Sequence, residues 1–175
     1  MLSAARHAAE VLRRFDIEPK PMDRLLRTYL AEHRGLSSRA RRVITHAVFG
    51  VMRWRSRLDG AWKLAGYSRV TNAERVIALL AWQPPADLAV EECVAVPPEL
   101  VRTLEGEMPA RFPGGVAAWA GFPELLYGAF ERRWGEEGAA RLASALDQEA
   151  TPVLRVNSLR CTRAEALERL QACGI

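Results

Sequence analysis

Apolar side chains recur every three or four residues over the first 80 positions, and this periodicity constrains the fold more than any other feature of the chain. Such spacing places the apolar residues on one face of a helix. Pro19, Gly35, Gly66 and Pro84 separate the periodic segments, since proline and glycine end helices or mark turns. The pattern therefore predicts consecutive helices at about 3–15, 21–34, 38–51, 58–65 and 73–83.

The remainder of the chain has a less regular pattern. Short helices are expected at 86–96 and 98–107, followed by a loop at 108–115 that contains two prolines and two glycines. A domain boundary is expected between Pro109 and Pro123. Beyond it the sequence predicts helices at 123–134 and 136–148, then a strand at 153–159 and a helix at 162–172 that begins with capping-box spacing.

The strand predicted at 153–159 feeds a helix, and no further strand pattern follows it within the 175 residues. Because a strand needs a partner to satisfy its backbone groups, this ending indicates the front part of a longer protein. An unpaired strand edge also predicts possible self-association through residues 153–159.

Positive charge collects in the first part of the sequence. Residues 1–69 contain 15 Lys/Arg and six Asp/Glu, whereas residues 70–175 contain ten and 15. Arginine far outnumbers lysine, which a compositional bias explains, but such a bias does not explain why the charge collects in one half. A basic half beside a mildly acidic one favours a polyanionic partner, such as nucleic acid, for the first half.

The composition excludes several classes of protein. No apolar run approaches the roughly 18 residues that span a bilayer, and Arg6 and His7 interrupt the N-terminus before a secretory signal could form. The expected location is therefore the cytoplasm. Cys93, Cys161 and Cys173 have no metal-like spacing and indicate reduced, mostly structural thiols.

An arginine cluster surrounds the third predicted helix, and no Asp or Glu occurs between Gly35 and Arg57. A guanidinium group is planar, permanently charged and able to grip a phosphate with two parallel hydrogen bonds. Free N–H groups at the Ser38 end of the helix add positive potential. The alternative is a solvated helix face with ordinary salt bridges. We expect an RNA-binding surface composed of Arg39, Arg41, Arg42, Arg53, Arg55 and Arg57.

Other candidate groups carry weaker signals. His46 lies on the same polar helix face, and Trp54 stands between two arginines where it could stack on a base, although core packing is the commoner role of tryptophan. His7 and His33 are isolated in the sequence. No metal-ligand spacing, Ser/His/Asp order, P-loop or Gly-x-Gly-x-x-Gly occurs, so no catalytic residue, metal or cofactor is predicted for this chain.

Two parts of the sequence resemble known families. Residues 38–53, with Ser-Arg-Ala-Arg-Arg-Val-Ile at the start and Phe-Gly-Val-Met-Arg at the end, resemble the central helix of NusB-like RNA-binding domains. Residues 122–126 (Phe-Pro-Glu-Leu-Leu), Trp134-Gly135 and residues 152–159 (Pro-Val-Leu-Arg-Val-Asn-Ser-Leu) resemble the entry to the RsmB/NOP2/Sun methyltransferases. Bacterial members of the RsmB type carry both segments in this order. Residues 82–121 depart from the NusB-like pattern, since they are proline-rich and lack its Asn-Ala-Val-Leu-Arg motif, which predicts shortened or rearranged last helices.

The resemblance implies a parent enzyme that methylates carbon 5 of cytosine in ribosomal RNA with S-adenosylmethionine. In that family one cysteine attacks carbon 6 of the base and a second assists turnover. None of the three cysteines here matches either motif, so the resemblance places both, and the cofactor site, downstream of Ile175. It transfers to this chain the arginine cluster as an RNA-contacting surface, together with Arg155 and Asn157, which match the family's Arg-Val-Asn motif in an RNA-facing subdomain.

These observations predict an all-α NusB-like helical domain at 1–120, followed at 121–175 by a short α+β segment that begins the methyltransferase RNA-binding subdomain. The predicted function is to bind and position ribosomal RNA for a catalytic domain outside the chain. Two alternatives stay open. One is a stand-alone NusB-like antitermination factor, against which the 154–159 motif argues. The other is a module that docks a protein partner through arginine–carboxylate contacts.

Overall fold

The computed structural model describes residues 3–85, 96–148 and 153–174, and these residues form eight helices and no β-strand. The predicted all-α character of the first part is therefore confirmed. None of the described helices is both long and apolar enough to cross a lipid bilayer. The helices are α1 (Ser3–Ile17), α2 (Met22–Glu32), α3 (Ser38–Leu64), α4 (Asn72–Trp82), α5 (Pro98–Glu105), α6 (Gly115–Trp119), α7 (Glu124–Asp147) and α8 (Arg163–Ala172).

Helix α3 is the centre of the main hydrophobic core, and α1, α4, α5 and α6 all pack against it. Leu12 of α1, Leu79 of α4 and Leu100 of α5 are buried in this core. Burial of a large aliphatic side chain contributes roughly 1.5–3 kcal/mol, so this stripe holds the helices together. The buried residues of α3 are Val43, Ile44, Ala47, Val48, Val51, Trp54, Leu58, Gly60, Ala61 and Trp62.

Helix α3 is 27 residues long, so the prediction of two separate helices at 38–51 and 58–65 is wrong. The apolar stripe does not end at Val51, because Trp54 and Leu58 continue it at intervals of three and four residues and are both buried. No proline interrupts this stretch, and Gly60 does not have a positive φ. The backbone hydrogen bonds therefore run on without a break.

Side-chain caps define the start of two helices. The Ser37 hydroxyl accepts a hydrogen bond from the Ala40 N–H at the start of α3. At α4 the capping residue is Thr71. Thr71 forms a capping box with Glu74, in which each side chain satisfies a backbone N–H of the other residue.

The end of α2 also differs from the prediction. The helix ends at Glu32 with His33 in the cap position, three residues before the expected glycine stop at Gly35. Gly35 does not have a positive φ, so it does not form a left-handed cap. Side chains satisfy the last carbonyl groups instead, since His33 Nδ1 lies 2.8 Å from the Tyr29 carbonyl oxygen, and Arg41 binds others as described below.

The helices between α4 and α7 are short. The helix predicted at 98–107 is observed but ends at Glu105, and α6, which was not predicted, has only five residues. These lengths agree with the expected shortening of the region. Phe112 precedes α6 and is buried, with its ring edge-on to Trp119 at 5.0 Å. Almost all of the helix predicted at 86–96 lies outside the described residues.

Helix α7 bends at Gly135, where the sequence predicts an interruption. Gly135 has φ 70° and ψ 172°, a conformation that glycine alone adopts readily. The bend lets both arms of α7 contribute to a second, smaller core, in which Tyr127 precedes the bend, Ala139 and Ala143 follow it, and Ala117 comes from α6. The two predicted helices are confirmed as the arms of one kinked helix.

Residues 153–174 contain no buried side chain. The strand predicted at 153–159 is not formed, because residues 153–157 have no regular structure and a turn begins at Ser158. A strand requires hydrogen bonds to a neighbouring strand, and none of the described residues provides one. The β part of the predicted α+β segment is therefore not observed. Helix α8 matches its prediction, including the capping box of Thr162 and Glu165.

Gly60 allows α3 to pack closely against Phe112. A Cβ at this position would clash with the Phe112 ring, which is also packed edge-on against Trp119. We predict that Gly60→Ala lowers the free energy of unfolding by about 1–3 kcal/mol. Overpacking should outweigh the helix propensity of alanine, which favours it over glycine by about 1 kcal/mol. Urea denaturation measures this difference.

Gly35→Ala is the matched control, since a Cβ there would meet nothing within 4 Å and the backbone is not left-handed. This substitution should leave stability unchanged or raise it by up to about 1 kcal/mol. Equal destabilisation by the two substitutions would contradict the packing described for Gly60.

Candidate nucleic-acid interface

The six arginines predicted to bind RNA occupy two kinds of environment along α3. Arg39 and Arg42, in its first turns, are exposed to solvent. The other four are partly buried and bind other parts of the same chain. These four are Arg41, Arg53, Arg55 and Arg57.

Arg41 holds the end of α2 against the start of α3. The last carbonyl groups of any helix lack partners within it. The Arg41 guanidinium donates hydrogen bonds to the carbonyl oxygens of Leu30 at 3.0 Å, His33 at 3.1 Å and Leu36 at 3.1 Å. Arg41 thus caps α2 from a different helix, and its donors are engaged within the fold.

Arg53 joins α3 to the connection between α6 and α7. Its guanidinium donates to the carbonyl oxygen of Gly121 at 3.1 Å and to the carboxylate of Asp147 at 3.2 Å. It also lies over the rings of Trp54 and Phe122, 4.7 and 4.6 Å from their centroids. Gly121 permits the approach, because a Cβ there would lie 2.8 Å from the Arg53 carbonyl oxygen. Arg53 therefore fastens the segment that begins at 122 to the helical core.

Arg57 lies among aromatic rings between α3, α4 and α6. Its Cζ is 4.7 Å from the ring centroid of Trp82 and 3.6 Å from that of Trp119, and one nitrogen donates to the Leu104 carbonyl at 2.6 Å. Burial lowers the pKa of Arg57 to about 10, although the Asp147 carboxylate opposes the shift. The guanidinium is still charged at neutral pH, and it interacts with a carbonyl group and aromatic rings of the same chain.

Arg55 forms an ion pair with Asp16 at the end of α1. The shortest N–O distance is 2.9 Å, and the Asn72 amide donates to the same carboxylate at 2.8 Å. Burial raises the pKa of Asp16, but the hydrogen bonds from Arg55 and Asn72 outweigh burial and hold the pKa below its ordinary value. Asp147 and Asp16, which are distant from α3 in sequence, thus pair with Arg53 and Arg55. The absence of acids between Gly35 and Arg57 therefore does not mean that these arginines are available to RNA.

Exposed positive charge lies on α2 and on the first turns of α3. Glu32 is the single acid between Asp23 and Asp59 in the sequence, and its carboxylate is paired with Arg14 at 2.8 Å. The sequence prediction did not include the α2 arginines, because the α3 cluster is denser, although their positions opposite the apolar face of α2 were a usable signal. We name the exposed arginines of this region the outer arginine set: Arg24, Arg27, Arg34, Arg39 and Arg42.

Arg155 and Asn157 lie in the irregular segment before α8, where Arg155 is exposed. Asn157 stabilises a turn, since its side-chain oxygen accepts a hydrogen bond from the Leu159 N–H at 3.1 Å and its carbonyl accepts one from the Arg160 N–H at 2.9 Å. Asn157 has a structural role here, and contact of either residue with RNA stays a prediction.

Two weaker candidates on α3 have structural roles. Trp54 is buried and packs edge-on against Trp82 at 5.4 Å, which is the core role favoured by its residue type. His46 Nε2 lies 2.7 Å from the Gln83 carbonyl oxygen and so ties α3 to the end of α4.

His7 and His33, which are isolated in the sequence, lie together around Tyr29. His7 Nδ1 is 2.7 Å from the Tyr29 hydroxyl, the His33 ring stacks on the Tyr29 ring at 4.1 Å, and the imidazole centroids are 5.1 Å apart. Burial, followed by the neighbouring His33 and Arg6, lowers the pKa of His7. The packing of α1 against α2 creates this cluster, and no local sequence pattern marks it.

Comparison with known proteins gives a family match in the C-terminal part of the chain. Residues 122–175 match the family model of the ferredoxin-like domain of RsmF/B-like methyltransferases. No curated protein and no solved structure matches the chain. The match supports, at the level of the family, the resemblance to ribosomal RNA methyltransferases carried by residues 122–126 and 152–159. The NusB-like character of the first part stays a prediction.

The position of Arg41 leads to a stability prediction. Arg41→Gln should lower the free energy of unfolding by about 1.5–3 kcal/mol, because carbonyl groups at the end of α2 lose a charged donor. Arg42→Gln, one position along and exposed, should change it by less than about 0.5 kcal/mol. Thermal denaturation of both variants measures the contrast. A stability loss that is the same for both would show that Arg41 does not cap α2.

The lowered pKa of His7 predicts a pH dependence of stability. The folded state disfavours the charged imidazole, so the contribution of His7 is fully present above its ordinary pKa of 6.5. That contribution is lost as the pH falls through the lower folded pKa. We expect urea midpoints to fall between about pH 7.5 and pH 5, and His7→Gln to flatten this change. An identical pH profile for His7→Gln would contradict the assignment.

Proposed function

We propose that this chain is the RNA-binding N-terminal region of an S-adenosylmethionine-dependent ribosomal RNA cytosine-C5 methyltransferase. It positions ribosomal RNA for a catalytic domain outside residues 1–175. A NusB-like helical domain, at about 1–120, supplies the RNA-binding surface, and the segment from 121 onwards connects that surface to the methyltransferase.

The observation that carries the proposal is the family match at residues 122–175, which follows directly on a basic helical domain. The match is to the ferredoxin-like domain of RsmF/B-like methyltransferases. The first 69 residues of the domain attached to it contain 15 Lys/Arg and six Asp/Glu, an excess of positive charge that suits a polyanionic substrate.

The charges of the described residues support RNA as the partner of the helical domain. The arginine side chains of the outer arginine set are exposed to solvent. Phosphate binding by arginine needs an accessible guanidinium, because both parallel hydrogen bonds come from its outer edge. Arg39 and Arg42 therefore remain the best RNA contacts among the six arginines first predicted, with Arg24, Arg27 and Arg34 beside them in sequence.

S-adenosylmethionine belongs to the parent enzyme in this proposal. Nucleotide cofactors of this kind bind where a strand runs through a glycine-rich turn into a helix. The described residues 3–85, 96–148 and 153–174 contain no strand, so they do not fit such a group. We therefore assign neither cofactor binding nor methyl transfer to them. The cytoplasm, where ribosomal RNA is processed in bacteria, is the expected location.

Binding to labelled ribosomal RNA fragments at two salt concentrations tests the proposal. Each phosphate contact releases counterions, so affinity should fall at least tenfold between about 50 and about 200 mM salt. Arg39→Glu combined with Arg42→Glu should weaken binding at the lower salt by at least about tenfold while leaving the far-UV circular dichroism spectrum unchanged.

Arg102→Glu combined with Arg111→Glu is the matched control. It makes the same change in net charge at two exposed arginines on α5 and in the loop before α6. Equal losses for the two double variants would indicate a general charge effect and not a binding surface. Absence of RNA binding at the lower salt would overturn the proposal and favour a module that docks an acidic protein.

A further inference from the structure

A cavity of about 260 Å³ lies between α3, α6 and α7, where the helical domain meets the segment that matches the methyltransferase family. Sites for drug-sized ligands have volumes of roughly 300–1,000 Å³, so this cavity suits a smaller molecule. Small residues line its α7 side. The rest of its wall includes three aromatic and two charged residues, namely Trp54, Trp119, Tyr127, Arg57 and Asp147.

Two residues of the cavity wall carry buried polar atoms that lack partners. The Tyr127 hydroxyl and the Arg57 Nε have no hydrogen-bond partner among the described residues. Tyr127 is only 2% exposed. A buried donor without an acceptor destabilises the folded state, and such groups are few in native proteins. A ligand that brings acceptors to both atoms would remove this penalty.

The other polar groups of the wall are already paired. The Asp147 carboxylate accepts a hydrogen bond from Arg53 at 3.2 Å, and another nitrogen of Arg57 donates to the Leu104 carbonyl oxygen at 2.6 Å. An anionic ligand would be repelled by the carboxylate of Asp147, whereas an uncharged ligand would not. The unmet demand in this cavity is therefore for hydrogen-bond acceptors and not for negative charge.

Flat surfaces line the same cavity. Trp54 is buried at 6% exposure, and Arg57 Cζ lies 3.6 Å from the ring centroid of Trp119 and 5.4 Å from that of Trp54. Indole rings and guanidinium planes are surfaces on which planar heterocycles stack. The shape of the wall therefore favours a planar ligand.

We infer that this cavity binds one small, uncharged planar ring that carries a carbonyl group, the chemistry of a free nucleobase such as uracil. Carbonyl oxygens are acceptors with two lone pairs each, so such a ligand meets the demand of Tyr127 and Arg57. The site goes beyond the proposed function, because it uses neither the outer arginine set nor a phosphate. Since α3, α6 and α7 all border the cavity, the ligand joins the helical domain to the family-matched segment.

Titration of the 175-residue chain with uracil, followed by NMR of the indole N–H groups, tests the inference. The Trp54 and Trp119 signals should shift and saturate at about 10 mM or below, an affinity that stacking and two hydrogen bonds provide. The Trp62 signal should stay in place, because this group donates to the Glu74 carbonyl oxygen and is not part of the cavity wall. Binding should be the same at about 50 and about 200 mM salt, since no phosphate contact releases counterions.

Tyr127→Phe removes the unpartnered hydroxyl and keeps the ring. It should weaken uracil binding about 3- to 10-fold. The urea midpoint should be unchanged or higher, because the hydroxyl has no hydrogen bond to lose in the free chain. Tyr67→Phe is the matched control, since it removes the same group at an exposed residue outside the cavity wall. A lower midpoint for Tyr127→Phe with unchanged uracil affinity would mean that the hydroxyl serves the fold, and would overturn the site.

Ala140→Leu fills the cavity from its α7 side. Ala140 borders the cavity and is exposed, so the larger side chain should leave the far-UV circular dichroism spectrum unchanged and weaken uracil binding at least about tenfold. Ala145→Leu is the control, at another exposed position of α7 that is not part of the cavity wall. It should bind uracil like the wild type.

Benzamide and benzoate test whether the ligand is uncharged. The two molecules share a ring and a carbonyl group and differ in charge. Benzamide should compete with uracil, and benzoate should compete less well because of the Asp147 carboxylate. Tighter binding of benzoate would show that Arg57 selects an anion, and the uncharged class would then be wrong.

The outcomes separate this site from the proposed function. If Tyr127→Phe and Ala140→Leu lose uracil affinity and bind RNA like the wild type, the site stands as a separate one. If neither Trp54 nor Trp119 shifts with uracil at about 10 mM, or if both cavity variants bind uracil like the wild type, the site is wrong and RNA binding is unaffected. If single-stranded RNA displaces uracil, the cavity accepts a base of the RNA, and the free ligand inferred here is wrong.

Discussion

Burial of one apolar stripe along the 27 residues of α3 is the constraint on which the rest of the structure depends. Helices from both sides of α3 in the sequence pack on that stripe, so arginines on its later turns are drawn into the fold. Leaving a buried cation without partners costs several kcal/mol. Arg53 binds the Gly121 carbonyl oxygen and the Asp147 carboxylate. Arg57 binds the Leu104 carbonyl oxygen and lies over the Trp119 ring, while its buried Nε has no hydrogen-bond partner among the described residues. Both arginines thereby join helices.

The same packing gives the arginines at the two ends of α3 different surroundings. Its first turns carry Arg39 and Arg42 in solvent, whereas Arg53, about 16 Å further along the axis than Arg42, binds Gly121 and Asp147 and fixes the segment that matches the methyltransferase family. In the proposed function, a rigid helix therefore links an RNA-contacting surface to the part of the protein that leads to catalysis. A bend at Gly135 lets both arms of α7 complete the small core that supports this link.

Local patterns predicted what depends on local physics. Apolar periodicity gave most of the helices, and the capping spacing of Thr162 and Glu165 gave the start of α8. The continuity of α3 was missed because arginines interrupt its apolar pattern on both sides of Trp54. The contacts of the arginines could not be predicted, since Asp16 and Asp147 lie far from α3 in sequence. The strand expected at 153–159 failed for a similar reason, because a strand depends on a partner that its own residues do not specify.

The division of the arginines is the central claim, and NMR of their Nε–H groups during titration with single-stranded ribosomal RNA tests it most directly. The account predicts that the Arg39 and Arg42 signals shift as RNA is added. The Nε–H of Arg41 donates to the Leu36 carbonyl oxygen and that of Arg57 is buried, so both should be protected from exchange in the free chain. The signals of Arg41, Arg53 and Arg57 should stay in place. Shifts confined to Arg53 and Arg57, with Arg39 and Arg42 unaffected, would contradict the account, because they would mean that RNA binds where the fold is fastened.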